Sequence, residues 1–248
     1  MAENGSNACV LIIGNEILSG RTQDANLQFL GKQLNLLGIS VAEARVIPDS
    51  ESAIVSGIRE CKSKFTYIFT TGGIGPTHDD ITASAVALAL NLPIERNNEA
   101  ETILRNFYSN ANLTEARLSM ADMPVGAILL ENPVSKAPGF QVANIFVLPG
   151  IPHILEAIFG CMSYKLVGGQ PILSKSIVSF LPEGETGTAL KTIQLAHPEA
   201  HIGSYPFFRD GKVGANIVVR STNTDVLEDA ANAVKEMIKM FGIEPFEL

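Results

Sequence analysis

The sequence predicts an α/β protein with a mostly parallel sheet, followed by a second, smaller α+β domain. Apolar runs of strand length alternate with helical patterns over the first two thirds of the chain. A glycine-rich loop follows one of these runs, and a different order of elements begins after a linker at residues 167–171. Alternating strands and helices are typical of a parallel sheet covered by helices on both faces. We therefore predict domains at residues 1–167 and 168–248.

Hydrophobic periodicity predicts the elements of the first domain. Residues 9–13 form a continuous apolar run, as in a strand buried on both faces. Leucines at helical spacing follow, and Gly38 is expected to end that helix. Further strands are expected at residues 39–47, 65–69 and 127–131, with a hairpin over 140–148. Helical patterns run through residues 54–61, 81–92, 96–123 and 151–166.

The second domain has a β-α-β-β-α order. The pattern predicts strands at residues 172–181, 201–207 and 212–220, and helices at residues 183–196 and 225–241. This order suits a small α+β sandwich in which an antiparallel sheet is covered by two helices.

The amino-acid composition limits the classes of function that the protein can have. An apolar fraction of 46% is ample for a buried core, and a net charge of −8 argues against a nucleic-acid partner. It does not exclude a nucleotide, because a local cation can supply the charge. Cys9, Cys61 and Cys161 form no CxxC pattern, which argues against a disulfide framework or a zinc site. With no signal peptide and no apolar run of membrane-spanning length, a cytoplasmic protein without a membrane partner is expected.

The most informative segment is the glycine loop after the third predicted strand. Gly72, Gly73 and Gly75 permit backbone conformations and close approaches that side chains forbid. A loop between a strand and a helix offers backbone N–H groups to a phosphate. A plain tight turn is the alternative interpretation, and the position between strand and helix favours phosphate binding.

Two adjacent carboxylates, Asp79 and Asp80, follow this loop. Thr77 and Asp80 also fit a capping box, with Thr77 as the N-cap of the next helix. His78, between these residues, is interpreted as a loop residue rather than as a ligand. A phosphate is stable beside two carboxylates only if a cation stands between them, so the pair indicates a metal-bridged phosphate.

Acids and loops that follow other predicted strands are expected at the same edge of the sheet. Glu16 follows the first strand, and Asp49 follows the second, where it also suits an N-cap. Carboxylates gathered in this way suit Mg²⁺ or Mn²⁺. Lys136, in a loop before the predicted hairpin, is a candidate phosphate contact. Gly150 starts the last helix of the domain with exposed N–H groups, although a proline-initiated helix looks the same.

Together these segments resemble the molybdopterin-binding (MoaB/Mog) domain family. The resemblance is closer to its CinA-like branch, and the amino-terminal domain of eukaryotic FAD synthases is similar too. The matching residues are Gly14–Gly20, Asp24 with Asn26, Pro48-Asp49, Gly72–Thr82, Asn132-Pro133 with Ala137–Phe140, and Leu148–Pro152. Residues 181–184 and 202–206 resemble the small domain that follows in the same branch.

The resemblance implies a three-layer α/β/α fold and divalent-metal-dependent pyrophosphate hydrolysis of ADP-ribose- or FAD-like compounds. It also implies functional roles for Asp49 and Asp80. Together with Glu16, which follows the first strand, these are the predicted catalytic residues, and Asp79 is added to the three as a predicted ligand of Mg²⁺, Mn²⁺ or Co²⁺. The predicted substrate contacts are Gly14, Asn26, Gly72, Gly73, Gly75, Thr77, Lys136, Pro138, Gly139 and Gly150. It also implies homo-oligomers. Because residues 1–248 hold no match to the deamidase domain of full-length CinA proteins, deamidase activity is not expected.

Three positions depart from the pattern of the branch. Asn15 stands where many CinA-like sequences have Asp, Lys136 where Thr is common, and Ile154 where Glu is common. One carboxylate fewer near Glu16 weakens the expected metal site, and Lys136 is expected to replace part of that charge.

Three functions remain open at this point. The first is a metal-dependent hydrolase of a nucleotide pyrophosphate. The second is a module that binds molybdopterin or a nucleotide without turnover, and the third is adenylyl transfer to molybdopterin. The carboxylate excess favours the hydrolase, because passive phosphate binding needs fewer acids and more bases.

Overall fold

The computed structural model describes residues 5–108, 112–209 and 211–247. The chain divides into two compact units, Met1–Gly169 and Gln170–Leu248. The division falls two residues after the boundary drawn from the sequence, within the linker.

The first unit alternates strands and helices along the chain. Its strands are β1 (Asn7–Ile13), β2 (Ser40–Ile47), β3 (Tyr67–Thr71), β4 (Ile94–Arg96), β5 (Asp122–Pro124), β6 (Ile128–Leu130), β7 (Gly139–Val142) and β8 (Ile145–Leu148). Its helices are α1 (Asn15–Leu18), α2 (Asn26–Leu36), α3 (Glu51–Cys61), α4 (Thr82–Leu90), α5 (Asn98–Phe107), α6 (Glu115–Leu118) and α7 (Pro152–Met162).

Six of these strands form one mostly parallel sheet in the order β2-β1-β3-β8-β7-β6. The pairs β1–β2, β1–β3 and β3–β8 are parallel, and β7 is antiparallel to both of its neighbours. Therefore β6 runs in the direction of β8, and the loops after β1, β2, β3, β6 and β8 emerge at the same edge. The chain crosses over β1 between β2 and β3, which makes the β1–β3 edge a topological switch point where such sheets bind ligands.

Helices cover both faces of this sheet, so the predicted three-layer fold is confirmed. Alternate residues of β1 point to opposite faces. Cys9, Leu11 and Ile13 pack in one core with α3 and α4. Ala8, Val10 and Ile12 pack in a second core with α2 and α7. Burial on both faces is the reason that β1 is apolar at consecutive positions from Ala8 to Ile13 rather than at alternate ones.

The helical prediction for residues 96–123 is partly wrong. The segment holds α5 and α6, but its two ends lie in β4 and β5, which pair antiparallel as a separate two-stranded sheet. Side chains close this sheet, because Arg96 Nε donates to Asp122 Oδ1 over 2.7 Å. Strands of three residues are too short to show a period of two, so the helical pattern between them dominated the prediction.

The predicted hairpin near Asn144 is confirmed. Val142 pairs with Ile145, which leaves Ala143 and Asn144 as a two-residue turn between β7 and β8. The Asn144 amide donates to Phe65 O over 2.9 Å and so ties the turn to the segment before β3. Ala143 has φ +51°, a left-handed conformation that is costly for any residue with a Cβ.

The second unit is a small α+β fold, as predicted. Its elements are β9 (Leu173–Ser179), α8 (Glu183–Ala196), β10 (His201–Arg209), β11 (Lys212–Ser221), α9 (Thr224–Met240) and β12 (Phe246–Glu247). The sheet is antiparallel in the order β10-β11-β9-β12, and α8 and α9 close one core with it. The sequence pattern missed β12 because two residues carry no periodicity.

Membrane-spanning length is not reached by any apolar helix in the described part of either unit.

Replacing Ala143 with Gly is expected to stabilise the first unit. Glycine removes the cost of a Cβ at positive φ, and we expect the free energy of unfolding in urea to rise by about 0.5–1 kcal/mol. Ala53→Gly, within α3, is the matched control and should lower it by about 0.5–1 kcal/mol. A loss of stability in Ala143→Gly comparable to that of the control would contradict the assigned turn conformation.

The three cysteines are expected to differ in reactivity. Cys9 and Cys61 are buried with their Sγ atoms 3.5 Å apart, whereas Cys161 is partly exposed. Burial raises the pKa of the Cys9 thiol, and the adjacent Cys61 thiol raises it further. Titration with a chromogenic disulfide at neutral pH should detect one thiol in the native protein and all three after unfolding. In Cys161→Ser, the native signal should vanish; a fast native reaction of three thiols in the original chain would refute this assignment.

Candidate functional site

A cavity of about 610 Å³ opens at the sheet edge where the carboxyl ends of the parallel strands meet. Loops after β1, β2, β3, β6 and β8 all contribute to its lining. Of the predicted site residues, it gathers Glu16, Asp49, Gly72, Gly73, Gly75, Thr77, Asp79, Asp80 and Gly150. The cavity is therefore a product of strand direction, because residues far apart in sequence follow strands that end together.

The glycine loop needs glycine at its first two positions. A Cβ at Gly72, which has φ +102°, would lie 2.3 Å from Ile13 O. A Cβ at Gly73, which has φ +68°, would lie 2.2 Å from the hydroxyl oxygen of Thr82. These close approaches let β3 and the start of α4 meet below the cavity floor.

Thr82 holds this loop from the helix side, and sequence reasoning gave it no role. Its side chain is fully buried, its hydroxyl donates to Gly72 O over 3.0 Å and its N–H donates to Gly73 O over 2.9 Å. A hydroxyl residue at the first position of a helix after a glycine loop was the available signal. Thr82 thus satisfies two carbonyl groups of the loop, one through its side chain and one through its backbone, and so fixes the shape of the cavity floor.

Thr77 and Asp80 form a turn of their own rather than a helix cap. The Thr77 N–H donates to Asp80 Oδ2 over 2.8 Å, and the Asp80 N–H returns to Thr77 O over 3.1 Å. The predicted capping box is wrong, because α4 begins at Thr82 and the preceding position is Ile81. The turn places Asp80 on the cavity wall, and the Asp80 side chain does not cap α4.

The carboxylate of Asp80 lies directly against the third glycine of the loop. A Cβ at Gly75 would be 2.7 Å from Asp80 Oδ2. The Thr77 hydroxyl shares its single proton between Asp80 Oδ2 and Asp79 Oδ1, the latter at 2.6 Å. This bond, followed by one from its own backbone, lowers the pKa of Asp79. The His78 side chain, which precedes the two acids in the sequence, is exposed and does not line the cavity.

Asp49 joins two strand ends instead of capping a helix. Its Oδ2 accepts the N–H of Asn15 over 2.9 Å, whereas the cap position of α3 is Ser50, which makes no side-chain cap bond. The cap interpretation of Asp49 is therefore wrong. The bond fixes the loop after β1 to the end of β2.

Glu16 folds back over Gly14. A Cβ at Gly14 would lie 2.6 Å from Glu16 Oε1, so glycine leaves the room that the carboxylate occupies. Gly14 in turn donates its N–H to Ile47 O over 3.2 Å, at the end of β2. Gly14 and Gly75 thus have the same function, since each makes space for a carboxylate of the cavity.

The charged side chains described in the lining of the cavity are all acidic. Four carboxylates line it, and no Lys, Arg or His is found among its described lining residues. Within the described ranges, the only set of three potential metal ligands within 4.8 Å of one another is Cys9, Glu43 and Cys61, in and beside the core. The four cavity acids therefore share one space without forming a closed cluster.

Backbone N–H groups supply the complementary charge. Among the described residues, no acceptor is found for the N–H groups of Gly73, Ile74, Gly75, Gly150 and Ile151. Gly150 and Ile151 directly precede α7, whose first residue is Pro152, as expected. The positive end of the α7 dipole adds to these donors. This wall of the cavity can bind the oxygens of an anion.

Asn26 is buried and holds the loop that carries Gly150. Its side chain is 4% exposed, and its amide donates to Gly150 O over 2.8 Å. It lines a smaller cavity of about 60 Å³ together with Asp24 and Thr71, not the large one. Its Oδ1 has no partner among the described residues. The predicted substrate contact is therefore placed behind the loop that carries Gly150.

The loop after β6 divides its side chains between two cavities. Ser135 and Ala137 line the large cavity, whereas Lys136 and Pro138 line a second one of about 540 Å³. Gly139 lines neither; a Cβ there would lie 2.6 Å from Val147 O in the adjacent strand. The structure thus does not bring Lys136, Pro138 and Gly139 to the four acids.

Residues after α5 form the remaining wall. Tyr108 and Met120 line the large cavity, and the guanidinium of Arg117 lies 4.5 Å from the centre of the Tyr108 ring. Neither residue follows a strand of the main sheet, so the sequence pattern gave no signal for them.

Comparison with known proteins agrees with this architecture. Residues 9–167 match the family model described as a probable molybdopterin binding domain. Residues 171–247 match the model described as FAD synthase, middle domain. The crystal structure of the protein CinA with unknown function from Thermoplasma acidophilum has a TM-score of 0.62 and 34% identity, covering 66% of this chain and 99% of its own.

Two relatives extend the similarity. A protein from Aeropyrum pernix is 32% identical over 250 residues, covering 96% of this chain and 93% of its own. A protein from Caldivirga maquilingensis is 43% identical over 178 residues, covering 69% of each chain. The chain therefore belongs to the molybdopterin-binding (MoaB/Mog) domain family, and its predicted CinA-like character, with a FAD synthase middle domain after the first unit, is confirmed.

Proposed function

We propose that the protein is a divalent-metal-dependent hydrolase that cleaves the pyrophosphate bond of ADP-ribose- or FAD-like compounds. One observation carries the proposal: the large cavity combines four carboxylates with unpaired backbone N–H groups and has no basic side chain in its described lining. A substrate phosphate fits such a cavity only together with a cation.

The charge balance supports a metal ion. A phosphate oxygen and a carboxylate about 4 Å apart repel each other by roughly 1 kcal/mol in bulk water, and by several times more near a protein surface. Four carboxylates would therefore exclude an anion by a large margin. Carboxylate oxygens are the ligands that Mg²⁺ and Mn²⁺ take, and Co²⁺ accepts them as well, so the donor set fits the expected metals.

The acids are positioned to act as ligands or to orient water. One oxygen of Asp80 is held by the Thr77 N–H, and one oxygen of Asp49 is held by the Asn15 N–H. Among the described residues, the other oxygen of each carboxylate accepts no hydrogen bond. Each side chain is thus fixed in place while keeping one oxygen available. A bound divalent cation would neutralise phosphate charge and lower the pKa of a water molecule.

The glycine loop and the start of α7 would hold the phosphates. Their N–H groups donate without adding net charge, and they are fixed by the backbone before the substrate binds. Glu16, which lies against Gly14, would complete the cation's ligands or accept a proton from the attacking water.

A binding module without turnover is the second candidate. The distances favour it in one respect, because no three of the four acids lie within 4.8 Å of one another as a preformed cluster. The family description names molybdopterin, so molybdopterin binding, with or without adenylyl transfer, is the corresponding activity. In both candidates the partner is a small nucleotide or pterin. Homo-oligomeric assembly and a cytoplasmic location stay predictions.

Metal dependence gives the first test of the hydrolase. Chelator-treated protein should release no AMP from ADP-ribose or FAD, and added Co²⁺, Mn²⁺ or Mg²⁺ should restore release, as measured by chromatography of the products. The metal matters because it offsets the repulsion between the phosphates and the four acids. No release with any of the three metals, combined with tight pterin binding, would establish the binding module instead.

Asp80→Asn separates the chemical role of Asp80 from its structural one. The amide keeps an acceptor for the Thr77 N–H but loses the charge, so we expect turnover to fall at least about 100-fold. The free energy of unfolding should change by about 1 kcal/mol or less. Asp229→Asn, at an exposed position of α9, is the matched control and should leave both unchanged. Full activity in Asp80→Asn would remove Asp80 from the mechanism.

A further inference from the structure

A buried pair of cysteines lies in the first unit, away from the carboxylate-lined cavity. Cys9 is the third residue of β1, and Cys61 is the last residue of α3. Both side chains are fully buried, and their Sγ atoms are 3.5 Å apart. The cavity begins at Ile13, at the other end of β1, which is about 13 Å along the strand from Cys9. The proposed hydrolysis therefore does not use this pair.

Glu43 and the two cysteines form a set of three potential metal ligands. One carboxylate oxygen and the two sulfur atoms all lie within 4.8 Å of one another. Two ligand atoms on one tetrahedral Zn²⁺ ion are roughly 3.6–3.8 Å apart, given Zn–S bonds of about 2.3 Å and Zn–O bonds of about 2.0–2.2 Å. The sulfur–sulfur distance of 3.5 Å is close to this value, so both sulfurs can bind one ion with little movement.

A shift in strand register brings Glu43 to the face of the sheet that carries Cys9. Ala8 pairs with Val41 and Cys9 pairs with Glu43, so β2 contains one extra residue, Ala42, at this point. Without the extra residue, Ala42 would lie opposite Cys9, and Glu43 would point to the other face. Bulges are rare between parallel strands, and those near functional sites re-aim a side chain. This one brings a carboxylate next to two thiols of the apolar core.

Arg45 holds the Glu43 carboxylate in place. Its Nε donates to Glu43 Oε1, and its Nη1 donates to Glu60 Oε2 over 2.6 Å, so the guanidinium is itself fixed. Among the described residues, Glu43 Oε2 accepts no hydrogen bond. One oxygen of Glu43 is thus oriented by a neighbour while the other is available, and partners that orient a ligand in this way raise metal affinity.

The charges of the group fit a divalent cation with a preference for sulfur. Burial raises the pKa of the Cys9 thiol, and Cys61 and Glu43 raise it further, so this thiol stays neutral unless a cation replaces its proton. A divalent ion and the Arg45 guanidinium together offset the three negative charges of two thiolates and one carboxylate. Thiolates select Zn²⁺, whereas Mg²⁺ and Mn²⁺ prefer the oxygen ligands of the carboxylate-lined cavity.

We propose that Cys9, Cys61 and Glu43 bind one Zn²⁺ ion, which ties β1 and β2 to the end of α3. The ion has access from the edge of the sheet, because β2 is an edge strand and the Glu43 side chain is 35% exposed. The sequence gave no signal for this site, since the two cysteines are 52 residues apart and Glu43 belongs to a third element. The role of the ion is structural, and the site does not depend on the proposed hydrolysis.

Cobalt spectroscopy tests the ligands. Co²⁺ occupies tetrahedral thiolate sites in place of Zn²⁺, and a cobalt–thiolate bond gives a charge-transfer band in the near ultraviolet that oxygen ligands do not give. The reduced, metal-free intact chain should develop this band with one equivalent of Co²⁺, in a buffer with excess Mg²⁺ to occupy oxygen sites. One equivalent of Zn²⁺ should then abolish the band.

Three variants assign the band to its ligands. Cys61→Ser should remove most of the band and weaken Zn²⁺ binding at least about 100-fold. Glu43→Gln, at a partly exposed position, keeps an acceptor for Arg45 but loses the charge; it should weaken Zn²⁺ binding about 10-fold or more and keep the thiolate band at saturating Co²⁺. Cys161→Ser removes the remaining thiol and is the control, which should change neither the band nor the affinity.

Thermal unfolding gives a second readout. Because the ion binds the folded first unit, Zn²⁺ at about a 100-fold excess over its Kd should raise the Tm of the intact chain by at least about 3 °C. The rise should be the same in Cys161→Ser and absent in Cys61→Ser.

Several outcomes would overturn the zinc site. A missing charge-transfer band in the intact chain, or an unchanged band in Cys61→Ser, would exclude it. Loss of the band in Cys161→Ser would assign the binding to that thiol instead. Unchanged Zn²⁺ affinity in Glu43→Gln would remove the carboxylate from the ligand set. If the intact chain binds no Zn²⁺ and a disulfide reagent instead removes two hydrogen atoms from Cys9 and Cys61, the pair forms a disulfide and not a metal site.

Discussion

Parallel pairing of strands that are buried on both faces is the constraint on which the site depends. Helices on both faces of β1 require apolar residues from Ala8 to Ile13, so polar side chains are excluded from this part of the strand. Polar chemistry is therefore displaced to the loops. Because β1, β2, β3 and β8 run in one direction, their loops emerge together, and acids separated by more than sixty residues meet in one cavity.

Close approach is the second constraint, and glycine satisfies it in two different ways. Gly72 and Gly73 lie where a Cβ would collide with Ile13 O or with the Thr82 hydroxyl, so they allow strand, loop and helix to meet. Gly14 and Gly75 lie where a Cβ would collide with the carboxylates of Glu16 and Asp80. Gly72 and Gly73 therefore shape the floor of the cavity. Gly14 and Gly75 leave room for the two carboxylates in its wall.

Charge and hydrogen bonding then define what the cavity can hold. Its acids are fixed by neutral donors, the Asn15 and Thr77 N–H groups, and not by basic side chains. Asp49 and Asp80 thus have no basic partner in the described lining of the cavity, which suits a cation and repels a free anion. The loop of Asn132 places Lys136 in the neighbouring cavity, so the positive charge that the loop contributes is separated from the acids.

The sequence by itself determined the fold class, the order of nearly all elements and the acids at strand ends, because periodicity and glycine chemistry are local properties of the chain. The tertiary structure decided which local interpretation holds. Asp49 and Asp80 both fit helix caps in sequence, yet one joins two strand ends and the other closes a separate turn. It also decided that Lys136 lies apart from the acids, that Asn26 holds Gly150 O instead of lining the large cavity, and that Thr82 and Tyr108 shape the site. Such roles depend on contacts between segments distant in sequence, which no local pattern records.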